Sequence, residues 1–397
     1  MIEVLALLVP LLVVVVLAGG ARLHRGTPPT APATVAADRV LVVSGSYGAG
    51  HDAAAREVRR CLEADGHVVE ILDVALLFPL RLGEVLRRAY FAQLDAVPTS
   101  WRLVLRALER RDGAGGALAS AATGLLSRLP ARRLLAAVPP GTVAVISTHP
   151  FASLALGRLR RTGRLAAPVT TYLTDASVHR LWVADGVDRH VAIHPEAERQ
   201  ARARGAADVR LVQPLVKPAA VPPSAAGLVL RRAWDVPAER PVALAVGGAE
   251  GVGDLEAAAR DLRDTGLVTP VVVCGRNDDL RRRLAEVRGV LALGWLDGLT
   301  EAIAASDLVV HNAGGFTTLE ALHLRRPLVS YRCLPGHGEE NARALEADGL
   351  AAWPRTKVDL AGVVAEALAG AALPASPWHR RDRLVDALDL LRPAVAA

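Results

Sequence analysis

From Arg39 onward, short aliphatic runs alternate with longer stretches whose apolar positions recur at helical spacing. Val40–Val43, Val68–Leu72, Val143–Ser147 and Val169–Leu173 form a first series. Val242–Val246, Val271–Cys274, Val290–Leu293, Leu308–His311 and Pro327–Tyr331 form a second. Runs this short, with no polar alternation, suit strands buried on both faces. Helical stretches between them predict βαβ units and doubly wound parallel sheets. Between Gln213 and Ser224 the pattern breaks at prolines 214, 218, 222 and 223. The fold class is therefore α/β, with two Rossmann-like domains over 38–218 and 225–375 facing across a cleft. Trp378–Leu391 carries a helical apolar stripe after a Pro-containing break. It predicts a terminal helix within 376–397 that packs back on the N-terminal domain.

The N-terminus follows a different pattern. Val4 to Ala21 holds no charged residue, and Leu11 to Leu17 is wholly aliphatic. That is the short end of what spans about 30 Å of hydrocarbon. Arg22, His24 and Arg25 follow it, whereas only Glu3 precedes it. Positive residues stay cytoplasmic, so we expect a transmembrane anchor over 1–22 with its N-terminus outside and the catalytic domains in the cytoplasm, at the cell membrane. A cleaved signal peptide would begin with a basic region, and this one does not. Residues 23–37, including TPPTAPATVAA over 27–37, read as a linker.

The chain has 397 residues, 51% of them hydrophobic and 22% charged. That balance excludes a mostly disordered protein. Cys61, Cys274 and Cys333 are scattered and odd in number. Neither a disulfide framework nor a structural zinc site is therefore indicated. Among the 47 basic residues only Lys217 and Lys357 are lysine, against 41 acidic residues and a net charge of +6. No basic stripe with aromatic platforms stands out, which argues against nucleic acid as a partner. The modest excess suits anionic lipid or a phosphate-bearing substrate.

Each half opens on a glycine loop. S-G-S-Y-G-A-G-H over 44–51 leads from a strand into a helix. Tyr47, Gly48 and Gly50 thus bring backbone close to a ligand. His51, at the helix start, is placed to take a proton from a hydroxyl, although a structural histidine is the plainer reading. The same loop fits G-x-G-x-x-A from Gly48, with Asp73 available as a ribose-binding acid, which leaves a dinucleotide site open. In the second half Gly247 and Gly248 follow the first strand. Gly314 and Gly315 then precede Thr317 and Thr318 at a helix N-terminus suited to a diphosphate. Glu320 can accept two hydrogen bonds from a ribose diol, or simply complement the helix dipole. Gly336, His337, Glu340 and Asn341 lie on a further turn, to read sugar hydroxyls or to cap a helix. No D-x-D triplet occurs, so no metal-chelating nucleotide site of that type is expected. Helix dipole and backbone amides would stabilise a departing diphosphate. Between Arg81 and Arg111, further arginines interleaved with Tyr90, Phe91 and Trp101 suit either a helix pair at a lipid surface or ordinary cleft-lining helices.

The arrangement resembles the GT-B glycosyltransferases. It is most similar to monogalactosyldiacylglycerol synthases, processive diacylglycerol glucosyltransferases and the GlcNAc transferase that makes lipid II. The likeness runs from about Arg39 to Trp353 on YGAGH at 47–51, T-D…H-x-x-W…VDRH over 174–190, VVVCGRND at 271–278, LGWLD at 293–297, HNAGGFTTLEA at 311–321 and PGHGEENA at 335–342. The resemblance implies inverting transfer from a UDP-sugar co-substrate to a lipid or other hydrophobic acceptor, with no cofactor and no metal. It places His51 as the acceptor-activating residue, with Tyr47, Gly48, Gly50, Asp175 and His179 on the acceptor side. Gly314, Gly315, Thr317 and Thr318 match the phosphate turn, Glu320 the ribose glutamate, and Leu296 the position whose backbone reads uracil. Gly247, Gly248, Gly336, His337, Glu340 and Asn341 complete the donor side. Where the family commonly carries Gln-Glu after the glycine, this chain has His337-Gly338. A nucleotide-sugar-binding protein without catalysis, a UDP-sugar epimerase and an NAD-dependent oxidoreductase are the competing readings.

Overall fold

The computed structural model describes residues 38–217, 225–370 and 382–388, apart from positions 97, 110, 111, 238 and 313. The expected anchor and linker over 1–37, prolines 218, 222 and 223, and most of 376–397 lie outside the described residues. Among the described residues no helix is long and apolar enough to cross a membrane.

The strands form two fully parallel sheets. In the first, β1 (Arg39–Ser44), β2 (Val68–Asp73), β3 (Thr142–Ser147), β4 (Val169–Tyr172), β5 (Arg189–Ala192) and β6 (Val209–Leu211) lie in the order β2-β1-β3-β4-β5-β6. In the second, β7 (Val242–Val246), β8 (Thr269–Val273), β9 (Leu291–Leu293), β10 (Leu308–His311) and β11 (Leu328–Ser330) lie in the order β11-β10-β7-β8-β9. Strand order reverses between β1 and β3 in one sheet and between β7 and β10 in the other, where doubly wound sheets open a crevice at the strands' carboxyl ends. Both glycine loops leave from these points.

The aliphatic runs became strands because both faces are covered. Val40, Val42, Ile146 and Val191 pack on the helix Ala49–Ala64 through Ala54, Ala55, Val58 and Leu62. Burying each such large side chain contributes about 1.5–3 kcal/mol. β5 and β6 were not anticipated. Their sequences, RHVA and VRL, are short and polar, and buried Arg189 is satisfied by Asp208 and the carbonyl of Ala387.

Two other segments join that first core. The described part of the C-terminus, with the helix Leu384–Ala387, packs Leu384, Ala387 and Leu388 into it. Asp382 pairs with Val212 and accepts from the Gln213 amide at 3.0 Å. The helix Phe316–His323 of the second half inserts Phe316, Leu319 and Leu322 into the same cluster. The halves thus share an apolar seam.

Candidate active site

His51 is the third residue of the helix Ala49–Ala64. Its Nδ1 lies 2.9 Å from the carbonyl oxygen of Thr148, just after β3, and 3.1 Å from Thr174 Oγ1, just after β4. A carbonyl only accepts, so in the neutral ring Nδ1 carries the proton and Nε2 keeps its lone pair. The Thr148 hydroxyl donates back to the His51 carbonyl at 3.1 Å, fixing the loop from both sides. This is the tautomer that a general base requires.

Other histidines gather around it. The ring of His149 meets that of His51 edge-on at 4.7 Å, and its Nδ1 accepts the Phe151 amide at 3.2 Å. A Cβ on Gly45 would come within 2.6 Å of the His149 ring. Only glycine lets the strand end approach so closely. Burial holds His149 well below its usual range and pushes His179 down to about 3, with His337, Arg204 and His51 adding to the latter. Burial also lowers His337, with Asp175 opposing. These three rings are neutral at pH 7. Nδ1 of His179 and of His337 are buried without a hydrogen-bond partner among the described residues.

Some expected acceptor-side groups are otherwise engaged. Tyr47 is buried, stacks on His149 at 5.0 Å and donates its hydroxyl to the Gly83 carbonyl at 3.1 Å. It supports the loop and does not offer its side chain to a ligand. Gly48, Gly50, Asp175 and His179 remain half-buried. Asp73 accepts the Ser46 amide at 3.2 Å and the Ala75 amide at 2.8 Å, capping the helical turn Val74–Leu77. The acid that a dinucleotide would need is consumed, which removes that reading's support.

In the second half Gly314 and Gly315 hold φ of +81° and +80°. Backbone of that kind favours glycine. The Gly314 amide donates to His311 Nδ1 at 2.8 Å, and His311 Nε2 pairs with Ser330 Oγ at 2.9 Å. That amide is therefore taken. The remaining anion-binding groups begin at Gly315 and the first turn of Phe316–His323. Thr317 is half-buried there. Thr318 is buried, and its Oγ1 has no hydrogen-bond partner among the described residues. A Cβ on Gly50 would lie 3.7 Å from the Phe316 amide nitrogen, so the two loops face each other at contact distance. Glu320 accepts from Thr300 Oγ1 at 3.0 Å. Burial, helped by Glu301 and Glu57, pushes its carboxyl up to about 7 against the Thr300 hydrogen bond and Lys217. Gly248 opens to space, whereas a Cβ on Gly247 would strike Leu255, so Gly247 serves packing. Leu296 packs into the second core beside exposed Trp295.

The last turn differs most from expectation. His337 opens the helix His337–Ala347. Glu340 is exposed and pairs with Arg343, away from the cleft. Asn341 is buried, and its Oδ1 accepts the Ser177 amide at 2.9 Å and the Ser177 hydroxyl at 2.6 Å. It ties the halves together and is not free for a sugar. The inward carboxylate is Glu339. Thr148, Thr174, His149 and Ser177 were missed as site residues, although Thr174 opens the T-D motif that marked this region. Among the described residues no cluster of three or more histidine, cysteine or acidic side chains could hold a metal.

Residues 51–212 match the family described as monogalactosyldiacylglycerol (MGDG) synthase. The chain is 24% identical over 335 residues to a processive diacylglycerol beta-glucosyltransferase of Bacillus cytotoxicus, covering 81% of this chain and 83% of that protein. It is 25% identical over 368 residues to monogalactosyldiacylglycerol synthase 1 of Arabidopsis thaliana, covering 88% and 68%. Among solved structures, the spinosyn rhamnosyltransferase SpnG complexed with thymidine diphosphate superposes with a TM-score of 0.55 at 17% identity, covering 83% of this chain and 92% of that one. LpCGTa in complex with UDP gives 0.52 at 17% identity, covering 86% and 92%. The fold is the GT-B fold, and the chain is a glycosyltransferase related to the MGDG synthases and diacylglycerol glucosyltransferases.

Proposed function

We propose that this glycosyltransferase moves a sugar, with inversion, from a UDP-sugar to the hydroxyl of a membrane lipid such as diacylglycerol. The observation that carries this reading is the His51 ring, pinned through Nδ1 to Thr148 while its helix start faces the N-terminus of Phe316–His323. The acceptor oxygen attacks the anomeric carbon as the bond to UDP breaks. The bonding pair leaves on the β-phosphate oxygen, and the hydroxyl proton passes to His51 Nε2. The amides from Gly315 onward and the helix dipole offset the charge that develops on the departing UDP. Glu320 holds the ribose diol, Leu296 lies at the uracil, and the His337 turn meets the sugar. No resident cofactor or metal is needed in this scheme.

The lipid side of the reading rests on the helices Leu82–Ala96 and Pro98–Glu109 and the turns before them. Leu76, Leu80, Val85 and Leu103 are exposed there, among Arg81, Arg87 and Arg88. That combination suits an anionic membrane surface. With the apolar segment 1–22 as a single-pass anchor, the catalytic halves would work at the cytoplasmic face of the cell membrane. The test is to supply the full chain with UDP-glucose, UDP-galactose or UDP-GlcNAc and vesicles containing diacylglycerol. UDP release matched by a new glycolipid supports the reading. Release of UDP with free sugar and no glycolipid refutes it, as does conversion of the donor to its epimeric UDP-sugar, the product an epimerase would give, and as does binding without turnover.

A further inference from the structure

An ion pair crosses between the two halves. Arg102, in the helix Pro98–Glu109, donates from Nη2 to Glu339 Oε1 at 2.5 Å. Oε2 of the same carboxylate accepts the Gly336 amide at 3.2 Å. Glu339 is the third residue of its helix. It therefore caps the turn that begins the helix while a guanidinium from the opposite half holds it. Gly336 sits at φ +85°, and a Cβ there would lie 3.2 Å from Arg102 Cα and 3.3 Å from the Arg102 amide nitrogen. The turn is pressed onto the helix backbone where only glycine fits. His337 comes next, its Nδ1 buried and unpartnered among the described residues. The side chains of the pair are only 36% and 31% exposed. Solvent therefore screens it less than an open surface pair.

We propose that Arg102 is a positioning residue for donor-sugar recognition. From the acceptor half it fixes Glu339, and through Glu339 the Gly336–His337 turn, so that His337 is set for a sugar hydroxyl when the halves are closed. The inference rests on reading this cleft as a nucleotide-sugar site. UDP itself is held at a different turn, Gly315 to Glu320, so the effect of Arg102 is confined to ligands that carry the sugar.

The test uses the full chain and compares binding of UDP with binding of the UDP-sugar the enzyme accepts. Arg102→Ala raises Kd and KM for the UDP-sugar about tenfold, the loss expected for one charge-assisted hydrogen bond, and leaves Kd for UDP unchanged. Arg102→Lys restores part of the loss, because one such bond can re-form without the planar fork. Glu339→Ala raises Kd for the UDP-sugar likewise, and adding Arg102→Ala to it costs little more, because Arg102 acts through the carboxylate that accepts the Gly336 amide. Equal weakening of UDP and UDP-sugar, an unchanged KM, or fully additive losses in the double variant overturn the proposal. If the wild-type chain binds a UDP-sugar but transfers nothing, the transferase reading fails while the binding comparison still decides the role of Arg102. If it binds neither ligand, both fail.

Discussion

On the proposed function, Glu320 couples donor binding to pH. Its carboxyl is pushed up to about 7 by burial, with Glu301 and Glu57 adding and the Thr300 hydroxyl and Lys217 opposing. A carboxyl raised in the folded state adds stability below its unfolded value of about 4.5 and loses that contribution as pH rises through about 7. The full swing is on the order of 3 kcal/mol. A ribose diol donating two hydrogen bonds favours the ionised form and returns the group toward its ordinary value. Donor affinity must then fall as pH drops below about 7, by about tenfold between pH 8 and pH 6. The assay is calorimetric titration of a UDP-sugar, whose diphosphate has no group titrating in this range, in buffers of different ionisation enthalpy. Close to one proton is released per donor bound near pH 6. Glu320→Gln removes both the slope and the proton release, and weakens binding at pH 8. A wild-type affinity that is flat between pH 6 and 8, or a slope that survives in Glu320→Gln, refutes the assignment.

Three further outcomes follow from the geometry. His51→Asn keeps a donor for the Thr148 carbonyl but removes the basic nitrogen, so kcat falls by about 10²–10⁴ with donor Kd unchanged, measured by UDP release. Asn341→Ala strands the buried Ser177 amide and hydroxyl. The loss costs about 1–3 kcal/mol, read as a shift in the urea midpoint. Replacing exposed Leu76 and Leu80 by glutamate reduces sedimentation with anionic vesicles, and raised salt reduces it further.

Much of the framework was legible because it rests on buried strands, and a parallel strand covered on both faces writes itself as an aliphatic run. β5 escaped that signal because Arg189 and His190 are buried in it, admissible only where distant residues satisfy the guanidinium. The two glycine loops were legible because positive φ and close approach leave few alternatives at Gly314 and Gly45. Their working details were not. The partner that selects the His51 tautomer is a backbone carbonyl 97 positions away, which no side-chain pattern reports. Glu339 and Glu340 look alike in sequence, yet neighbours on a helix point about 100° apart. The cap at Gly336 decides that Glu339 faces inward. Asn341 carries the polarity that a sugar would use, but Ser177 from the other half claims it.

The bonds between the halves explain which part of the site can vary. Phe316, Leu319 and Leu322 are packed into the core that supports the His51 helix, so the residues proposed to hold the departing diphosphate cannot move without disturbing the proposed base. Close-packed interiors resist such shifts, because each displaced methylene costs contacts on every side. The distance between proton acceptor and leaving group is therefore set by hydrophobic packing and would be the same for any donor. The His337 turn sends no large apolar side chain into that seam. It meets the other half through the Arg102–Glu339 ion pair, the Asn341–Ser177 hydrogen bonds and the close approach of Gly336 to Arg102, none of which uses the side chains at 337 and 338. A departure from the family pattern at His337-Gly338 can thus change which sugar is read while leaving the reaction geometry at His51 intact. On the proposed function, the packed seam fixes the reaction geometry and the polar turn the choice of sugar.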